Sequence, residues 1–313
     1  MPEKYRHLFG PVPSRRFGRS LGVDLTPPKL CCLDCVFCQL GHTTQKTIIR
    51  KAYIRTQAVL DELHHWFKTG GSADYITLSG SGEPTLHARF GEVLDYIGRK
   101  TRTPTALLTN GALFYRKEVR RAAARADVVK ISLSAWHQPS FEWVNRPHPK
   151  LSLKRLVEGQ KAFRDQFKGQ LWLEVFLIAG MNAAPGQVQK IASLAKVISP
   201  DRIHLNTAVR PPAEDFVVPL APQGMAALTH LFEPQAEVIA EFDLRHCQRL
   251  MAGPDTIFEM LKRRPCTAEQ MAEGFGMHPN EVLKYLGYLL RANRVRIERR
   301  GCSVYYAAQK QPV

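Results

Sequence analysis

Between residues 20 and 210 the chain repeats one pattern, a short β-favouring apolar run followed by a longer segment whose apolar positions recur at helical spacing. The runs lie near 20–25, 75–79 (YITLS), 105–109 (TALLT), 128–133 (VVKISL), 171–178 (LWLEVFLI) and 202–206 (RIHLN). Between them stand AVLDELHHWFKTG, FGEVLDYIGRK, KEVRRAAARA, LKRLVEGQKAFRDQF and GQVQKIASLAKVI. Strand and helix alternating in this way require a parallel sheet whose crossover helices cover its face. Six such units fall short of the eight of a closed TIM barrel. The expected fold is therefore α/β, a partial (β/α)6 TIM-like barrel.

From about residue 253 the pattern changes. DTIFEMLKRR reads as one helix, TAEQMAEGF as a second with a capping box from Thr267 to Gln270, and HPNEVLKYLGYLLRANR as a third. VRIERRGCSVYYA then alternates apolar and polar residues around Arg300-Gly301, a hairpin signal. Three short helices and a hairpin make a winged helix-turn-helix. The expected domains are a barrel over 1–252 and a winged helix over 253–313, in keeping with a length of 313 residues. Such a tail either recognises nucleic acid or peptide through its third helix and wing, or serves packing and dimerisation. Its third helix carries Lys284 and Arg291, and its wing Arg294, Arg296, Arg299 and Arg300.

Charge and cysteine usage narrow the chemistry. The formal net charge is +16, and most of it, +11, lies in the first 150 residues. A field of that sign attracts phosphate-bearing partners, RNA included. No apolar run approaches the length of a membrane span, and MPEKYRHLFG lacks the apolar core of a signal peptide, so the expected location is the cytoplasm, away from membrane. Four of the seven cysteines crowd into Cys31, Cys32, Cys35 and Cys38, which reads as a metal site rather than a disulfide framework. Cys247, Cys266 and Cys302 are scattered and read as free thiols.

Cys31-x3-Cys35-x2-Cys38 follows the first strand at its C-terminal end, where parallel α/β sheets place active sites. Three thiolates can hold three irons of a cubane and leave the fourth open to an exogenous ligand, whereas electron-transfer clusters use four. Cys32 is an alternative or additional ligand, and a zinc site is the competing reading.

At this point the sequence resembles the radical S-adenosylmethionine (SAM) superfamily, whose signature is C-x3-C-x-aromatic-C; the aromatic position is Phe37. The resemblance implies a [4Fe-4S] cluster on Cys31, Cys35 and Cys38, SAM bound at the open iron, and reductive cleavage to a 5′-deoxyadenosyl radical. It also implies a one-electron reductant such as flavodoxin or ferredoxin. SGSGEP after the second strand is similar to the family's Gly-Gly-Glu-Pro element, with Ser81 in place of the first glycine, then Gly82 and Glu83, whose carboxylate suits the methionine ammonium. Asn110 after the third strand and Ser134 after the fourth stand where the family contacts ribose and methionine carboxylate, with Ser132, Glu174 and Asn206 as lesser candidates. GPVPSRR-x3-SLGVDL and the layout over residues 8–210 look like the Fe-S oxidoreductases related to the wyosine-forming tRNA enzymes, but no cysteine precedes Cys31 to build their second cluster.

For the substrate, two polar segments should border the barrel mouth, Trp136 to Pro149 and Arg210 to Asp215, and Arg15, Arg16 and Arg19 either grip phosphate or solvate the barrel floor. Three functions remain open: a radical SAM enzyme acting on RNA, a peptide or a small molecule; an Fe-S redox sensor that binds DNA through the tail; and a zinc-stabilised interaction protein. Glu83, Asn110 and Ser134 are superfluous to the last two.

Overall fold

The computed structural model describes residues 5–14, 16–239, 253–300 and 303–309. Arg15, Cys247, Gly301, Cys302 and the expected boundary at residue 252 lie outside them. In chain order the elements are β1 (Leu8–Ser14), β2 (Gly18–Val23), β3 (Leu30–Cys31), β4 (Gln45–Lys46), α1 (Thr56–Lys68), β5 (Tyr75–Leu78), α2 (Phe90–Lys100), β6 (Thr105–Leu108), α3 (Lys117–Ala123), β7 (Val128–Ser132), α4 (Gln138–Asn145), α5 (Leu153–Arg164), β8 (Gln170–Phe176), β9 (Ile178–Ala179), α6 (Pro185–Ile198), β10 (Arg202–Asn206), β11 (Val218–Pro219), α7 (Pro222–Leu228) and β12 (Glu237–Val238). The tail adds α8 (Pro254–Arg263), α9 (Ala268–Phe275), α10 (Pro279–Arg291), β13 (Val295–Arg300) and β14 (Ser303–Ala308).

One sheet of order β1-β2-β5-β6-β7-β8-β10-β12 organises the molecule, parallel throughout from β2 onward. The six expected strands are its centre, as the α/β reading requires. The sequence did not announce β1, which pairs antiparallel with β2 and carries Gly10, Pro11 and Pro13. Proline lacks the ladder N–H and is tolerated there because β1 is an edge. Along each central strand alternate residues point to opposite faces. Leu107, Val129, Ile131, Leu171, Leu173, Val175, Ile203 and Leu205 join the core that also holds Val59 and Leu63 of α1 and Ile191 of α6. The opposite set, including Ala106, Val128 and Trp172, packs around Phe17 inside the curve of the sheet.

The polar segment expected at the barrel mouth, Trp136 to Pro149, contains a helix, α4. Gln138–Asn145 is helical, with the amide of Ser140 donating to Nδ1 of His137 (3.1 Å) and the amide of His137 donating back to Oγ of Ser140 (3.0 Å). The tail's three helices and antiparallel hairpin surround their own apolar centre, which includes Ile257, Leu261, Met271, Phe275, Leu286 and Leu289. Thr267 caps α9 reciprocally with Gln270, as the sequence led us to expect. Cys266 is buried, and its backbone N–H and C=O both pair with Tyr306. Arg263 at the end of α8 donates to Asp24 (2.7 Å) and lies over the Phe9 ring, while Gln270 donates to the carbonyl of Val209 (2.9 Å), so the tail rests on the barrel.

Candidate functional site

The cysteine segment crosses the C-terminal ends of the strands and is held from several sides through its backbone. Lys29 N–H donates to the carbonyl of Ser81 (2.8 Å), and Glu83 N–H to that of Leu30 (2.9 Å), which laces it to the loop after β5. Val36 N–H bonds Val144 of α4, His148 N–H bonds Cys32, and Glu214 N–H bonds Val36. Both segments expected to border the barrel mouth therefore touch the cysteine loop. Arg146 and Glu214, one from each, also form an ion pair.

Cys31, Cys35 and Cys38 are partly exposed, while Cys32 is wholly buried in the core. Asn145 Nδ2 donates to Sγ of Cys35 (3.3 Å), and Asn110 Nδ2 lies 3.3 Å from Sγ of Cys32 and 3.6 Å from that of Cys31. Burial raises the pKa of Cys35 and of Cys38; at Cys38 a backbone hydrogen bond and the nearby Lys29 ammonium pull the other way. The hydrogen bond with Cys31, then burial, raises that of Cys32. Iron ligation demands thiolates, so a bound cation must supply the charge that this apolar setting withholds. Among the described residues no three His, Cys, Asp or Glu side chains are placed to share a single ion. A cubane takes one thiolate per iron, and three part-buried cysteines on one loop with amide donors at sulfur suit that demand. Phe37 stacks on Phe176 of β8, ring centroids 4.0 Å apart.

Ser81 is fixed by Asp24, whose Oδ2 accepts from both its amide (3.0 Å) and its hydroxyl (2.6 Å). Gly82 is needed for close approach: a Cβ there would lie 2.1 Å from the carbonyl oxygen of Leu30. Glu83 is buried, its Oε1 accepting from Thr85 N–H (3.1 Å), Thr85 Oγ1 (2.6 Å) and Thr109 Oγ1 (2.5 Å), its Oε2 from Asn110 N–H (2.8 Å). The carboxylate thus ties the end of β5 to the end of β6. Asn110 Oδ1 accepts from Ala112 N–H (2.9 Å), and the following Gly111 sits at φ 73°, a left-handed turn that suits glycine.

Asn110, Ser132, Ser134 and Asn145 line a small cavity with Leu33, Phe141, Leu153 and Leu156. Asn110 and Ser134 are thereby brought together, although the Ser134 hydroxyl accepts from Phe176 N–H (3.1 Å) and Ser134 is buried. Ser132 contributes its carbonyl to Gln160. Glu174 lies deeper, paired with Arg16 and Lys130, and Asn206 Oδ1 accepts from Thr207 N–H (3.0 Å). Arg16 thus enters the barrel, where it pairs with Glu174, and Arg19 pairs with Asp74 at the surface (3.1 Å). Sequence reasoning did not single out Asp24, nor the hydrogen bond of Thr109 to Glu83, nor that of Asn145 to Cys35, although Asn145 lies in the segment expected at the barrel mouth. Each stands at or just beyond the C-terminal end of a strand or helix, which was the available signal.

The model of the radical SAM superfamily matches residues 25–194, a span that holds the cysteine loop, SGSGEP, Asn110 and Ser134. A UPF0026 protein of Helicobacter pylori is 32% identical over 307 residues, covering 96% of this chain and 97% of that one. A protein of Brachyspira hyodysenteriae named GTPase Obg is 32% identical over 301 residues, and the chain spans only 44% of its length. In fold the chain is similar to a radical SAM methyltransferase from Sphaerobacter thermophilus, with TM-score 0.51, 16% identity, and coverage of 71% of this chain and 66% of that one. No helix among the described residues is long and apolar enough to cross a membrane. The chain belongs to the radical SAM superfamily of enzymes, which work with a [4Fe-4S] cluster and S-adenosylmethionine, and within it stands with the UPF0026 proteins.

Proposed function

We propose that this chain is a radical SAM enzyme that holds its cluster on Cys31, Cys35 and Cys38, binds SAM along Ser81, Gly82, Glu83, Asn110 and Ser134, and modifies an RNA. The observation that carries the reading is the lacing of the cysteine loop to Ser81 and Glu83, because it joins the metal ligands and the SAM loop into one unit. When bound, the cluster supplies one electron to the SAM sulfonium and so generates a 5′-deoxyadenosyl radical. The chain's own residues do the rest. Asn145 and Asn110 donate to sulfur and stabilise thiolate over thiol. Glu83 Oε2, with a single donor from the protein among the described residues, is the acceptor for the methionine ammonium. Phe37 and Phe176 shield the loop from water on the barrel side. A one-electron donor of the flavodoxin or ferredoxin kind and a cytoplasmic setting go with this chemistry.

The RNA part of the proposal rests on the tail, which we read as a winged helix. On α10, Lys284, Tyr288 and Arg291 are exposed at i, i+4 and i+7, one stripe with an aromatic between two cations. Such a stripe suits base stacking flanked by phosphate contacts. The wing contributes less than its composition implied, since Arg294 pairs with Asp255 (3.0 Å) and Arg296 with Glu298. The resemblance of GPVPSRR-x3-SLGVDL to the wyosine-type enzymes points the same way. In filter binding, the full-length Lys284→Ala/Arg291→Ala protein is expected to bind single-stranded RNA more weakly, with the slope of log K against log salt lower by about 1.4, two phosphate contacts at about 0.7 each. Tyr288→Ala should weaken binding by about 1–3 kcal/mol with the slope unchanged. RNA affinity indifferent to all three substitutions would return the tail to peptide recognition or dimerisation.

A further inference from the structure

We propose that the barrel interior beneath the cysteine loop is a binding site for an anionic group of the substrate, a carboxylate or a phosphate, gripped by Arg16 and Lys130. The inference rests on the radical SAM reading for its chemistry, and on the barrel interior for its evidence.

The turn between β1 and β2 lies at the N-terminal end of the parallel strands, opposite the cysteine loop. Phe17 from this turn closes the barrel floor, buried against Trp172 (ring centroids 5.1 Å) and Tyr75 (4.9 Å). Arg16 from the same turn reaches inward and pairs with Glu174, whose other oxygen is 3.4 Å from Nζ of Lys130. The side chains of Arg16, Lys130 and Glu174 keep 11%, 12% and 13% of their surface exposed. Two cations share the Glu174 carboxylate in a confined, poorly hydrated space, with Glu83 the further negative charge that acts on Lys130. An ion pair that served only to close the floor would have no need of the second cation.

Three nitrogens around this group of charges, from the inward faces of β8 and β10 and from the β1–β2 turn, are left over. Nε of Arg16, Nδ1 of His204 and Nε1 of Trp172 are buried without a hydrogen-bond partner among the described residues. His204 and Trp172 are themselves almost wholly buried, and their rings pack edge to face at 5.3 Å. Burial, with the nearby Arg16, lowers the pKa of His204 to about 4, so its ring is a neutral donor or acceptor at physiological pH. Unpartnered buried donors are costly, and several beside two cations are complementary to an anion.

The register sets the distance to the chemistry. Ser132, Glu174 and His204 lie side by side across β7, β8 and β10, and Phe176, two residues further along β8, is the ring on which Phe37 stacks. The Glu174 layer is thus about 7 Å below that of the aromatic pair, at 3.3 Å per strand residue, and Lys130, level with Trp172, reaches up to it from one step lower. Glu174 repels a second negative charge and so fixes which end of the substrate enters first. The rest of the substrate is directed toward the mouth, where SAM is cleaved.

Equilibrium dialysis of the reconstituted full-length protein against radiolabelled inorganic phosphate and, separately, acetate tests this, with and without saturating SAM. We expect one anion per chain that SAM does not displace, and at least tenfold weaker binding in Lys130→Met and in Arg16→Gln, with Lys130→Arg recovering most of the affinity. The preferred probe tells whether the substrate offers a phosphate or a carboxylate. Binding of neither probe at one per chain, binding indifferent to both substitutions in folded protein, or displacement by SAM, which would assign the cations to the methionine carboxylate, overturns the proposal. The dialysis needs no turnover, so a protein that binds the anion but does not cleave SAM counts against the radical SAM reading alone.

Discussion

Alanine in place of Cys31, Cys35 or Cys38 is expected to take the anaerobically reconstituted protein from about four irons per chain to near none and to abolish SAM cleavage. The three thiols lie on one loop, and each answers for a different iron, so two of them cannot close a cubane. Cys32 sits among them in sequence but not in environment. It is wholly buried, hydrogen-bonded to Asn110, and its carbonyl accepts from His148 N–H (2.9 Å). Cys32→Ala should therefore lose some stability, as removal of a small buried side chain does, and keep its iron. Iron counting with absorption spectra for the four single variants checks this. A Cys32→Ala protein that lost its cluster while Cys31→Ala kept it would exchange the two assignments.

Glu83→Ala is expected to cost about 3–5 kcal/mol of stability in addition to SAM affinity, because it strands four buried donors at once. Thr85 and Thr109 lose the acceptor of their hydroxyls, and Thr85 and Asn110 the acceptor of their amides. The site suffers twice, since Asn110 is also the residue whose side chain faces Cys31 and Cys32. Glu83→Gln separates the two roles. Its amide keeps one good acceptor oxygen for the threonines but has no charge for the methionine ammonium, so it should lose less stability than alanine and weaken SAM binding by a comparable factor. Denaturant unfolding and SAM titration of both variants decide the point. A Glu83→Ala protein as stable as the parent would contradict the bracing role of the carboxylate.

How much of this was legible beforehand follows from which interactions are local. Periodicity is local, and the six central strands and the helices Phe90–Lys100 and Pro185–Ile198 fall within a residue or two of where apolar spacing puts them. The cysteine spacing is local too, as is Thr267-Gln270. The edge strand β1 was hidden because its prolines argue against a strand, and α4 because its first turn holds Pro139 among polar residues. The greater loss was in the barrel interior. Arg16 and Phe17 are adjacent in a stretch whose arginines read as gripping phosphate or solvating the barrel floor, yet Phe17 closes the floor and Arg16 reaches Glu174, 158 positions away. No window of sequence links those residues; only the curvature of the sheet does. The tie from Arg263 through Asp24 to Ser81 is of the same kind, bringing the end of α8 to the loop expected to meet SAM.

The central claim is that this arrangement of Cys31, Cys35, Cys38 and Glu83 cleaves SAM reductively. Anaerobic incubation of the reconstituted, dithionite-reduced protein with SAM, followed by chromatography and mass spectrometry, measures it directly. The account predicts 5′-deoxyadenosine and methionine in equal amounts, dependent on reductant and absent from the Cys35→Ala protein. A fully loaded [4Fe-4S] protein that is reduced, binds SAM and returns it intact would contradict the account and favour an Fe-S sensor in its place.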